Sequence, residues 1–256
     1  MYVFRSLLFL PPALAACAGA TPATPSVATV EIATPAVQQA ELPPEHLVPR
    51  RPALSPDGAH VAYSHGGDLW VAATSNGVAR RLTAHPEYDT APKWSPDGDH
   101  IAFAGSRHGN FDLFVIAASG GTPKRLTWHS ENENLGGWMP DGSLLFGATR
   151  DRWYNRYGRG AGLWSVDAEG RTPQRVGDFP AGRASVSPDG AWICYERGSG
   201  DMRRRAYRGS ASNALWLYNR STGEHRELTR FDGNDLDPQW SGDGQTVYFL
   251  SDREAT

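Results

Sequence analysis

Trp94-Ser95-Pro96-Asp97-Gly98-Asp99-His100-Ile101-Ala102-Phe103-Ala104 reads as the end of one strand, a tight turn and the start of another. Proline fixes φ near the value that the second position of a type I turn needs. Aspartate can bond its own backbone, and glycine takes a positive φ and releases the chain. The apolar run behind the turn has the length and residue types of a strand. The turn returns as Ser55-Pro56-Asp57-Gly58, Met139-Pro140-Asp141-Gly142, Ser187-Pro188-Asp189-Gly190 and Ser241-Gly242-Asp243-Gly244. With first residues at 55, 95, 139, 187 and 241, the intervals are 40, 44, 48 and 54.

Working outward, each complete unit carries a third strand. These are Asp68-Leu69-Trp70-Val71, Asp112-Leu113-Phe114-Val115, Gly162-Leu163-Trp164-Ser165-Val166 and Ala214-Leu215-Trp216-Leu217-Tyr218. A turn rich in Gly, Ser or Asn leads to a fourth, more polar strand, as in Arg80-Arg81-Leu82-Thr83 and Lys124-Arg125-Leu126-Thr127. The loss of apolar character from second strand to fourth fits a sheet buried at its inner strands and wet at its outer edge. One four-stranded unit at this interval predicts an all-β fold, a β-propeller with four complete blades and the first two strands of a fifth. A β-sandwich with regular turns is the alternative, but it has no reason to repeat one turn sequence at a blade's interval. Six such blades need about 270 residues and about 210 follow residue 46, so the expectation is an incomplete six-bladed ring and a fragment of a longer protein.

The formal net charge is −3, which argues against a nucleic-acid partner, since that calls for a clear basic excess. No Gly-x-Ser-x-Gly elbow, His-Glu-x-x-His pair or Gly-x-x-x-x-Gly-Lys loop occurs, so no catalytic residue and no cofactor are assigned within the chain. The eight His are scattered, and no metal site is expected. His85 and His129 follow equivalent strands, which repetition explains. Glu131-Asn132-Glu133-Asn134 and the group Asp232, Asp235 and Asp237 read as solvated loops between blades; a calcium site is the other reading, without a twelve-residue ligand loop to support it. Cys194, within the apolar Trp192-Ile193-Cys194-Tyr195, reads as a small buried hydrophobe.

The N-terminus reads separately. Arg5 precedes the apolar Ser6-Leu7-Leu8-Phe9-Leu10, and Leu14-Ala15-Ala16-Cys17 follows. The run is too short to span a bilayer comfortably. The pattern resembles a lipoprotein signal over residues 1–16, which implies cleavage before Cys17 and acylation of that thiol. An ordinary secretory signal cut near Ala16 or Ala18 is the alternative. Either implies export. Under the lipoprotein reading the chain is lipid-anchored on the periplasmic side of the envelope, with the outer membrane favoured because Ala18, not Asp, follows the cysteine. Residues 17–45, rich in Pro, Ala and Thr, have little to bury and read as a tether.

The sequence Trp-Ser-Pro-Asp-Gly, then Ile-Ala-Phe, Asp-Leu-Phe-Val and Gly-Gly-Thr-Pro-Lys-Arg-Leu-Thr resembles the repeat of TolB and of the tricorn peptidase propeller, over residues 46–256. Arg204-Arg205-Ala206-Tyr207-Arg208-Gly209 and Tyr248-Phe249-Leu250-Ser251-Asp252-Arg253 bring it nearest to the amino-terminal propeller of tricorn-type serine peptidases. That resemblance implies a non-catalytic propeller that admits or binds peptide for a catalytic core lying beyond residue 256. A TolB-like module at the envelope, acting through a protein partner alone, is the other reading, and a remnant without function is a third. Tricorn peptidases proper are intracellular, so the exported start is a departure. Basic residues in the two longest inserts, Arg152, Arg156, Arg204, Arg205 and Arg208, lie among aromatics that include Tyr207 and suit peptide carboxylates. They are the candidate peptide-binding residues; ordinary surface charge is their other explanation.

Overall fold

The computed structural model describes residues 2–7, 48–150, 161–177, 179–198, 209, 212–230 and 232–253. The N-terminal strand β1 spans Tyr2–Leu7. The first sheet holds β2 (Arg50–Leu54), β3 (His60–His65), β4 (Asp68–Ala73) and β5 (Ala79–Arg81). The second holds β6 (Asp89–Trp94), β7 (His100–Gly105), β8 (Asp112–Ala117) and β9 (Lys124–Arg125). The third holds β10 (Glu133–Trp138), β11 (Leu144–Ala148), β12 (Gly162–Val166) and β13 (Gln174–Arg175). The fourth holds β14 (Ala184–Val186), β15 (Trp192–Arg197), β16 (Ala214–Asn219) and β17 (His225–Glu227). The fifth holds β18 (Asp235–Trp240) and β19 (Thr246–Ser251), with β1 antiparallel to the free edge of β19 from Tyr2 opposite Ser251 to Leu7 opposite Thr246. Every pairing is antiparallel between chain neighbours apart from that of β1, which caps an edge that would otherwise leave its N–H and C=O groups unpaired. This is the propeller expected from the repeat: four complete blades and a fifth with two strands of its own.

The turns form as their residues dictate. The Ser55 hydroxyl donates to Asp57 (2.5 Å), whose Oδ1 accepts the Ala59 N–H (3.0 Å). The Ser55 oxygen in turn accepts the His60 N–H (2.9 Å). In the third unit Met139 replaces the serine, and the Ser143 hydroxyl donates to Asp141 instead (2.6 Å). These serine hydroxyls hold the Asp57, Asp97, Asp141 and Asp189 carboxyls below their ordinary range. Successive turns also stack. Gly190 lies at φ 72°, and a Cβ there would sit 2.9 Å from Cγ of Pro140 in the preceding turn.

Side chains that alternate along each strand explain how the sheets pack. Ile101 and Phe103 meet Ala62, Leu69 and Val71 of the first sheet. Ala102, between them, faces the other way and joins Leu144 and Phe146 of the third. Leu145 and Leu163 meet Ile193 and Tyr195. Cys194 and Leu217 meet Val247 and Phe249. Each inner blade therefore buries both faces, and the five stand side by side in chain order without closing into a ring. Cys194 is fully buried, as expected, and burial pushes its thiol far above the ordinary range.

Candidate functional site

The first strands of successive blades contact one another, β2 with β6, β10 with β6 and β14, and β14 with β18. These strands form the inner edge of the array. Four carry a bulge at the same place: one between Leu135 and Gly137, and three at a proline, between Arg50 and Ala53, between Thr90 and Lys93, and between Leu236 and Gln239. In each of those three the proline follows the residue that takes the strain. A residue before proline avoids the right-handed helical region. Arg51, Ala91 and Asp237 instead take φ of 50°, 53° and 51°. Such a conformation costs roughly 1–3 kcal/mol for a residue other than glycine. The bulges turn polar side chains toward one another at the inner edge.

There Lys93 Nζ donates to Gln239 Oε1 (2.8 Å), joining the second blade to the fifth across the interior of the array. Arg183 Nη1 donates to Asp237 Oδ1 (3.0 Å), and the Asp237 N–H donates to Glu196 Oε1 (2.7 Å). Glu196 is 8% exposed. Burial pushes its carboxyl up to about 7, against the opposing pull of the Asp237 N–H and the Arg183 guanidinium. Burial also lowers Lys93 from the usual lysine range, with Asp237 opposing the shift and Arg51 adding to it. The cluster thus sets three basic side chains, Arg51, Lys93 and Arg183, beside one accessible carboxylate and one buried carboxyl that ionises near neutrality. It can hold a polar or charged chain; it has no paired nucleophile and base.

The residues that the sequence singled out for binding lie elsewhere. Cys17, Arg152, Arg156, Arg204, Arg205, Tyr207 and Arg208 fall outside the described residues. Arg150, beside the first insert, is bound to the fold: it pairs with Glu133 and stacks over Phe146 (5.2 Å) and Trp164 (5.6 Å). Two acidic readings need correction. Glu133 is not solvated but buried, accepting from the Thr127 hydroxyl as well as Arg150. Asp235 is equally buried and pairs with Arg253. Asp237 belongs to the inner cluster. His85 and His129 bear out the repeat, each ring Nδ1 accepting the N–H two residues on, at 3.1 and 3.2 Å. Among the described residues no group of three or more His, Cys, Asp or Glu is placed to hold a metal ion.

Sequence reasoning missed Arg51, Lys93, Arg183, Glu196 and Gln239. A signal was present: Pro52, Pro92 and Pro238 each stand three residues before a turn motif, where proline in a paired strand marks a bulge or an edge.

A family model described as the tricorn protease N-terminal beta propeller domain matches residues 46–256. Among curated proteins, an uncharacterized peptidase, YuxL, of Bacillus subtilis (strain 168) is 32% identical over 68 residues, which is 27% of this chain and 10% of that protein. Among solved structures, a putative TolB from Agrobacterium tumefaciens superposes with TM-score 0.66 at 21% identity, over 80% of this chain and 70% of that one. The tricorn protease superposes with TM-score 0.67 at 20% identity, over 80% of this chain and 20% of that one. TolB from Acinetobacter baumannii gives TM-score 0.59 at 20% identity, over 80% of this chain and 54% of that one. The chain spans about a tenth of the curated relative and a fifth of the tricorn protease.

Proposed function

The chain belongs to the family of tricorn protease N-terminal β-propeller domains, and from that membership we propose that it is the non-catalytic propeller of an exported tricorn-like serine peptidase, binding or admitting peptide for a catalytic core outside these residues. The observation that carries the reading is the inner polar cluster. Backbone strain at Arg51, Ala91 and Asp237 shapes the bulges from which Lys93, Asp237 and Gln239 meet Arg183 and one another. Strained backbone of this kind clusters at binding sites. The local likeness to a protein named as a peptidase agrees with it. Export rests on the N-terminal pattern, with Cys17 as the lipid attachment point and the periplasmic face of the envelope as the destination; cleavage there would remove β1 and bare the β19 edge, and loss of palmitate labelling in a Cys17→Ala variant would establish the anchor. The insert residues Arg152, Arg156, Arg204, Arg205, Tyr207 and Arg208 are proposed as a further peptide contact.

Titration of the full chain with a reduced and alkylated protein, as an unfolded probe, tests the reading. Saturable binding without cleavage is expected. The second reading, a TolB-like module that recognises a folded envelope protein, is favoured by the superpositions on the two TolB structures. Failure to bind unfolded chain, together with capture of one folded envelope partner, would replace the first reading with the second.

A further inference from the structure

We propose that the inner cluster is a carboxylate-binding site: Lys93, with Arg51 and Arg183 beside it, takes the acidic side chains of a bound peptide. The proposal rests on the peptide-binding reading and names the chemistry of the ligand. An ammonium has three donors, and among the described residues Lys93 Nζ is bonded to Gln239 Oε1. That partner is a neutral amide, so the lysine's charge is not cancelled there. The carboxylate that could cancel it, Asp237, is bonded to Arg183 at 3.0 Å, and its own N–H is spent on Glu196. Glu196 is buried behind the cluster, where its carboxyl carries only part of a charge near neutral pH. Positive charge at the inner edge therefore exceeds negative charge.

Two facts make that excess matter. The Lys93 side chain is half-buried at the inner edge, so its ammonium is less fully hydrated than an exposed one and gains more from an incoming anion. The chain as a whole carries net charge −3, so a diffuse basic surface does not draw anions to it. A carboxylate offers two oxygens to the spare donors, whereas a basic side chain meets like charge from three directions.

The test titrates the full chain with acetyl-Gly-Glu-Glu-Gly-amide and with its glutamine counterpart, both blocked at the termini so that side chains are the sole source of carboxylate. The glutamate peptide is expected to bind about tenfold more tightly, and Lys93→Met to remove about that factor, as loss of a charge-assisted hydrogen bond does. Lys124→Met, which removes an exposed outer-strand ammonium paired with Glu169, should change nothing. Gln239→Glu, at an exposed position that tolerates the change, should weaken the glutamate peptide by setting a fixed carboxylate against Lys93. Unaltered thermal melting accompanies each variant, and Gln239→Glu decides if Lys93→Met unfolds. Equal affinity for the two peptides overturns the carboxylate assignment and leaves the peptide-binding reading intact. So does tighter binding of a glutamine peptide with a free C-terminus than of the blocked glutamate peptide. Failure of the unfolded probe to bind at all removes both.

Discussion

Glu196 shows how one side chain ties the inner edge to stability. Its carboxyl is 8% exposed and ionises at about 7 in the fold, against an ordinary 4.5. Between those values the folded chain holds a proton that the unfolded chain has lost. Stability therefore falls as pH rises from 4.5 to 7, and the full penalty stands above 7. At 1.36 kcal/mol per unit the upper bound is about 3 kcal/mol. The turn aspartates act in the opposite sense and in another window, since their stabilisation is lost only as pH drops below their ordinary 3.8. Glu196→Gln keeps an oxygen for the Asp237 N–H and cannot ionise. It should melt later than the parent at pH 8, by the equivalent of about 1–3 kcal/mol, and should match it at pH 5. Thermal melts at the two pH values check this; a parent protein equally stable at both would refute the account.

At the scale of elements, two devices repeat from blade to blade. One clasps the first hairpin of the second, third and fifth sheets. Asp89, 1% exposed, receives Arg107 through Nε (2.9 Å) and Nη2 (2.6 Å), while the guanidinium lies over Phe103 and Phe114. Glu133 with Arg150 and Asp235 with Arg253 repeat it. Arg107→Met would strand a buried carboxylate and should cost about 3–5 kcal/mol in urea unfolding; adding Asp89→Asn should recover part of that loss. If the double variant is no more stable than the single, the ion pair is not the cause. The other device is turn stacking. Gly58 and Gly190 share nearly the same φ, 71° and 72°, but a Cβ on Gly58 meets nothing within 4 Å, whereas on Gly190 it meets Pro140. Gly58→Ala should cost about 1 kcal/mol from φ alone and Gly190→Ala clearly more; equal costs would show that the stacking is inert. These elements also mark how far the sequence was legible. The turns and the alternation Ile101-Ala102-Phe103 are local, so spacing revealed them. The partners of Glu133 and Asp235 lie across a hairpin, so these acids passed for loop residues. Lys93 and Gln239 come together only when the second and fifth blades converge, which no local pattern records.

For the whole molecule, the governing fact is that the row of blades has two ends. Ala62, Leu69 and Val71 point into the array, so the alternate residues Val61, Tyr63 and Trp70 lie on the outer face of the first sheet, where they are half-buried. Leu54 beside them is 61% exposed. In the fifth sheet Val247 and Phe249 point inward, which leaves Tyr248, 41% exposed, and Leu250 on the far face. The inner blades bury both faces, and these two bury one. Stacked repeats of this kind depend on terminal units with polar outer faces, and neither end has one. The chain on its own should therefore self-associate as its concentration rises, with little relief from salt, because the contact is apolar. Leu54→Lys combined with Tyr248→Lys places a charge on each bare face without touching the packed ones. Sedimentation velocity should show a concentration-dependent mixture of species for the parent chain and a shift toward monomer for the double variant, with the melting temperature little changed. A parent chain that stays monomeric at high concentration would mean that these faces are covered in a way the row of five sheets does not provide.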